Sequence, residues 1–140
     1  MKKLILKIFI TFILFQSASL ANTQYFNDGL KFYNKKKYTK ARFKFEQDIV
    51  YNPKSELSYL YLSKIFKSLN KKDLEEQNLN TVILLNPKNE EAIYNLVKLK
   101  LENSDYKKSK ELNERLINLC NKFCNESKKL RIEIENLSKK

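Results

Sequence analysis

Cys120 and Cys124, in the stretch CNKFC, are the only cysteines of the chain, and no histidine accompanies them. Without an imidazole no Ser-His or Cys-His nucleophile can be assembled, and a single glycine cannot build a phosphate-cradling loop. The cysteine spacing is not that of a Cys-x-x-Cys redox pair, and two thiols without His make a poor metal set. The adjacent carboxylates Glu75-Glu76 and Glu90-Glu91 are the remaining candidates. They read as capping and surface charges on solvated helix starts rather than as a general acid and base. No enzyme, no cofactor and no metal site is expected, and the chemistry left to the two cysteines is a disulfide.

A disulfide persists in an oxidising compartment, and the first residues point to one. Residues 1–7 carry three lysines and no acid, residues 8–15 (IFITFILF) are unbroken apolar, and Ser19 and Ala21 supply small residues for cleavage after Ala21. This is the layout of a secretory signal peptide over residues 1–21. A retained membrane anchor is the rival, but a spanning helix needs about 20 apolar residues and this run is much shorter. No cysteine directly follows the run, so a lipid-anchored form is not expected.

The remaining residues, 22–140, are enough for one modest domain and carry 25 basic against 16 acidic residues, a net +9. Lysine is spread along the whole chain, arginine occurs three times, and no basic block is longer than Lys35-Lys36-Lys37. That distribution gives no support to a nucleic-acid partner. Residues 22–55 hold eight basic and three acidic residues, so adhesion of this part to an anionic envelope polymer or to lipid headgroups is the alternative to protein binding.

The elements that must position these residues show in a repeat. LLNPKNEEAIYNL at residues 84–96 has a twin, IVYNPKSELSYLYL, and Pro53 stands 34 residues before Pro87. Between the two prolines and beyond them the apolar spacing is helical: Tyr59, Leu62, Ile65, Phe66 and Leu69, then Ile93, Leu96, Val97 and Leu101. Each unit reads as a helix, a short polar turn (residues 34–37, 70–72 and 103–105), a second helix and a stop. Proline enforces the stop, because it lacks the amide hydrogen and biases its predecessor away from helix. Ser55 and Asn89 are candidate caps for the restart, with Glu56, Glu90 and Glu91 placing negative charge at the positive end of the next helix.

These features resemble the tetratricopeptide repeat family. Counting each unit from 1 to 34, residues 22–55 carry Tyr25 at 4, Gly29 at 8, Phe32 at 11, Tyr38 at 17, Ala41 at 20, Phe45 at 24 and Pro53 at 32. Residues 56–89 keep Tyr59, Leu62, Ser63, Phe66, Leu79, Val82 and Pro87, and residues 90–123 keep Ile93, Leu96, Tyr106, Ser109 and Leu116. The third unit is degenerate, with Lys100 at 11, Asn113 at 24 and Asn121 in place of proline. In strict register the second unit puts Glu75 where a small residue belongs; a slip of two residues would place Gln77 there instead. Residues 124–140 continue with Leu130, Ile134 and Leu137 at helical spacing, as a single capping helix.

The resemblance implies an all-α superhelix of three helix pairs and a capping helix, with first helices lining a concave surface. Groove-facing positions would be Phe26, Leu30 and Tyr33, then Leu60, Lys64 and Lys67, then Tyr94, Lys98 and Leu101. An aromatic and aliphatic floor bordered by lysines suits an extended or helical peptide with apolar and acidic side chains. Phe26 and Leu60 are equally well placed to pack between helices. The two-carboxylate clamp of one subclass begins with Lys and Asn where Phe26 and Leu30 stand, so that clamp is not expected. Cys120 and Cys124 straddle the junction before the cap, where a bend can bring them together as a staple. The reading is an exported module of a bacterial envelope that binds a protein or peptide partner, with a self-associating scaffold as a third option.

Overall fold

In the computed structural model, residues 23–139 are described, and the expected signal segment lies outside them. Seven helices follow one another: α1 (Gln24–Asn34), α2 (Tyr38–Tyr51), α3 (Glu56–Ser68), α4 (Lys72–Leu85), α5 (Glu90–Glu102), α6 (Tyr106–Leu119) and α7 (Cys124–Leu137). Each helix packs against the next in chain order, and no strand occurs among the described residues. The protein is an all-α helical-repeat solenoid.

The turn inside each helix pair is built the same way three times. Lys36, Asn70 and Ser104 take left-handed dihedrals, with φ of 55°, 53° and 60°. The next amide reaches back to the last turn of the first helix: Lys37 donates to Phe32, Lys71 to Phe66 and Asp105 to Lys100, each at 2.9 Å. With the Lys36, Asn70 and Ser104 amides donating to Tyr33, Lys67 and Leu101, this double closure satisfies carbonyls that the helix end leaves free, and it uses Lys, Asn and Ser where glycine is the usual choice.

The junctions between pairs are less uniform. Thr23, Asn89 and Asp105 cap α1, α5 and α6 by accepting from Phe26, Ala92 and Lys108 amides. Ser55, the other expected cap, does not accept a bond from the first turn of α3; its hydroxyl donates to the Ser58 hydroxyl at 3.1 Å. Asp48, buried in α2, occupies Ser58 from the other side and also accepts from the Thr23 hydroxyl.

Two cores meet across α3. Phe26, Ala41, Phe45, Leu62, Ile65 and Phe66 form one between the first and second pairs. The larger one gathers Leu60, Leu79, Val82, Ile93, Leu96, Val97, Leu112 and Leu116 with Leu130 and Ile134 of α7. Gly29 belongs to the first: a Cβ there would stand 2.7 Å from the Phe45 ring, so the close crossing of α1 and α2 requires a residue without a side chain.

The second pair keeps strict register. Ala41, Glu75 and Ser109, 34 residues apart, are all buried at equivalent helix crossings, while Gln77 is exposed, so the slip of two residues does not occur. The carboxylates Glu75 and Glu90 are buried rather than solvated, which corrects the reading of both as surface charges. Their partners, Glu76 and Glu91, make ion pairs with Lys100 at 2.5 Å and Lys64 at 2.7 Å.

Candidate functional site

The first helices of the three pairs, α1, α3 and α5, are the ones the repeat resemblance assigns to the concave face, and the residues expected there fall into separate clusters. Phe26 (3% exposed) and Leu60 (4%) are core residues: Phe26 packs on Phe45 and Tyr61, and Leu60 joins the larger core. Both are therefore mainly packing residues, as the alternative placement between helices expects. Leu30 is half-buried against the first core, and Leu101 against the second.

The first cluster centres on Tyr61, a residue the positional count passed over by one place. Its ring stacks on Phe45 at 5.2 Å and receives the edge of Tyr33 at 5.0 Å. The Lys64 ammonium lies 4.8 Å from the same ring and 2.7 Å from the Glu91 carboxylate of α5. Lys64 is thus tied into a bridge between first helices and contributes less free charge than a solitary lysine would. Burial pushes the Tyr33 hydroxyl above its ordinary value against the downward pull of Lys64.

The second cluster joins α5 to the last junction. Tyr94 stacks on Phe123 at 4.8 Å, and Lys98 lies 5.7 Å from the Tyr94 ring. Lys98 has no ion pair among the described residues, so of the lysines expected in the groove it keeps its charge available there. Lys67, by contrast, sits 3.9 Å from Glu75. Phe123, too, was missed from sequence, because it lies at the last position of a unit rather than on a first helix.

The junction that supplies Phe123 lacks the proline of the other two, and two devices hold it. Cys120, in the left-handed region with φ 36°, is disulfide-bonded to Cys124 at the start of α7. Glu90 accepts the backbone amides of Asn121, Lys122 and Phe123 at 2.7, 2.7 and 3.1 Å. Burial pushes the Glu90 carboxyl up, but the three amides together outweigh it and hold it below the usual carboxylate range. Beside this junction a cleft of about 430 Å³ is lined by Leu57, Leu60, Glu90, Glu91, Lys122 and Phe123. Among the described residues no group of three or more His, Cys, Asp or Glu side chains could hold a metal ion.

No family model matches the chain, and no curated protein matches it. Solved structures do resemble it. The type III secretion chaperone SycD of Yersinia enterocolitica, in complex with a peptide of the translocator YopD, superposes with a TM-score of 0.72 at 16% identity, covering 82% of this chain and 90% of that one. The TPR2B domain of yeast Sti1, in a complex with pHsp70, gives 0.73 at 13% identity, covering 81% and 94%. The Sgt2 TPR domain from Aspergillus fumigatus gives 0.71 at 18% identity, covering 87% of each chain. The fold is that of a tetratricopeptide domain.

Proposed function

We propose that the chain is a protein-interaction module that holds a peptide or protein segment along its concave face, and that it acts as an exported protein in the envelope of a bacterium. The observation that carries the binding site is the Lys98 ammonium over the Tyr94 ring, itself backed by Phe123 and free of any carboxylate partner among the described residues. A rigid aromatic ledge with one free cation suits an apolar side chain followed by a carboxylate. The similar structures include complexes with a peptide of the translocator YopD and with pHsp70, which supports a protein or peptide as the kind of partner. Export rests on the layout of residues 1–21 and agrees with a disulfide at Cys120 and Cys124, a bond that reducing compartments do not favour.

The test is crosslinking in cells, identification of the captured segment, and titration of that segment as a peptide against the protein and its Lys98→Glu variant. Reversing this charge should weaken binding by about tenfold or more while leaving helix content unchanged. Equal affinity of the two would place the partner elsewhere on the molecule.

A further inference from the structure

The solenoid is closed at one end by α7, but at the other the outer sides of α1 and α2 carry aromatic rings in the open. Phe43 is 57% exposed, Tyr51 69% and Val50 74%. Tyr51 stacks on Tyr25 at 5.2 Å, and Phe32 and Phe43 line a shallow, largely apolar cleft with Thr39, Lys40 and Lys44. A lysine lies over each of three of these rings. Lys44 is 5.1 Å from the Tyr25 ring and 6.0 Å from that of Phe43, and Lys40 is 5.9 Å from Phe32. The acids of this unit are already engaged: Asp28 with Lys31, Glu46 with Arg42, and Asp48 buried against Thr23 and Ser58. Lys35, Lys36, Lys37, Lys40 and Lys44 therefore have no carboxylate partner among the described residues.

We propose that this end of the stack is a docking face for an anionic lipid surface, independent of the concave groove. Charge complementarity selects the occupant. The exposed Phe43 and Tyr51 and the half-buried Tyr25 and Phe32, with ammonium groups over three of these four rings, match the interfacial zone of a bilayer, where aromatic bodies enter the headgroup layer and lysine tips stay with the phosphates. A second copy docked by a twofold axis would set this lysine-rich patch against itself, a like-charge contact that works against a dimer here. Docked this way, the first helix pair lies against the membrane and the solenoid projects from it.

Co-sedimentation with vesicles tests the proposal, using the chain from residue 22 onward, which holds all seven described helices and both cores. The protein should partition onto phosphatidylcholine vesicles with roughly 30% phosphatidylglycerol and not onto pure phosphatidylcholine, and raised salt should release much of it. Each lysine lost from an anionic surface costs about fivefold in partitioning, so Lys40→Glu with Lys44→Glu should lower it by more than about 25-fold. Lys128→Glu with Lys129→Glu, on exposed positions of α7, makes the same change in net charge and should leave most of the binding in place. Phe43→Ser, with circular dichroism confirming its fold, should weaken binding several-fold. Equal losses from both charge pairs would show mere net-charge adhesion and overturn the docking face. So would full binding by Phe43→Ser, or sedimentation equilibrium showing a dimer that Phe43→Ser dissociates.

Discussion

Glu75 is the residue at which the family pattern and physical cost pull apart. A carboxylate at the close crossing of α3 and α4 should be expelled, and on that ground a shifted register was a fair expectation. The structure keeps the register because Leu79 and Val82, one and two turns further on, can reach the core only if Glu75 takes the buried place. Burial pushes the Glu75 carboxyl above its ordinary value, opposed by Lys67, with Glu102 pushing it up further. With a raised folded-state pKa the folded state holds the proton more tightly, so stability from this group falls as pH rises from about 4.3 through the raised value. At neutral pH the ionised group is a net cost. Glu75→Gln should therefore raise stability at pH 7 and lose that advantage in mildly acidic buffer, as chemical denaturation at the two pH values would show. A destabilised variant would mean that the Lys67 pair outweighs burial. Tyr61 and Phe123 were illegible for a different reason: one is a single place away from a groove position, and the other sits in a junction whose shape only the folded chain reveals.

The helices themselves were readable in sequence, because the 34-residue phase of Pro53 and Pro87 repeats in the apolar spacing around them. What the spacing could not give was how the third junction holds without a proline. There the disulfide and the Glu90 carboxylate together fix the loop from which Phe123 reaches Tyr94. Replacing Cys120 and Cys124 by serine opens a short loop, for which the chain-entropy account gives a loss of about 2 kcal/mol. Glu90→Gln leaves three amides with a weaker acceptor and should cost about 1.5–3 kcal/mol. The sign with pH is opposite to that of Glu75: a lowered folded-state pKa means stability present above about 4.3 and lost as pH falls through the lower value. Thermal melts of both variants, with near-ultraviolet circular dichroism following the aromatic stack, measure the two effects. If the serine variant melts like the parent, Glu90 alone secures the junction.

Across the whole molecule, stability follows from α3 serving two cores at once. Leu62, Ile65 and Phe66 face the smaller core with α1 and α2, while Leu60 turns to the larger one with α4, α5 and α6. A solenoid of this kind is held mainly by contacts between neighbouring helices, so each interface contributes its own share and the weaker end opens first. The smaller core, with a glycine at its tightest crossing and Asp48 held by two hydroxyls, faces a larger one tied at its far end by α7 and a disulfide. Native-state hydrogen exchange should accordingly show α1 and α2 opening at a lower free energy than α5 and α6. Leu62→Ala, which removes a buried side chain only from the smaller core, should cost about 2–5 kcal/mol. It should widen that gap, speeding exchange in α1 and α2 while leaving α5 and α6 nearly as protected as before. Uniform loss of protection along all seven helices would instead mean that α3 couples the two cores into one cooperative unit, and that ligand held on α5 would be felt at the opposite end of the stack.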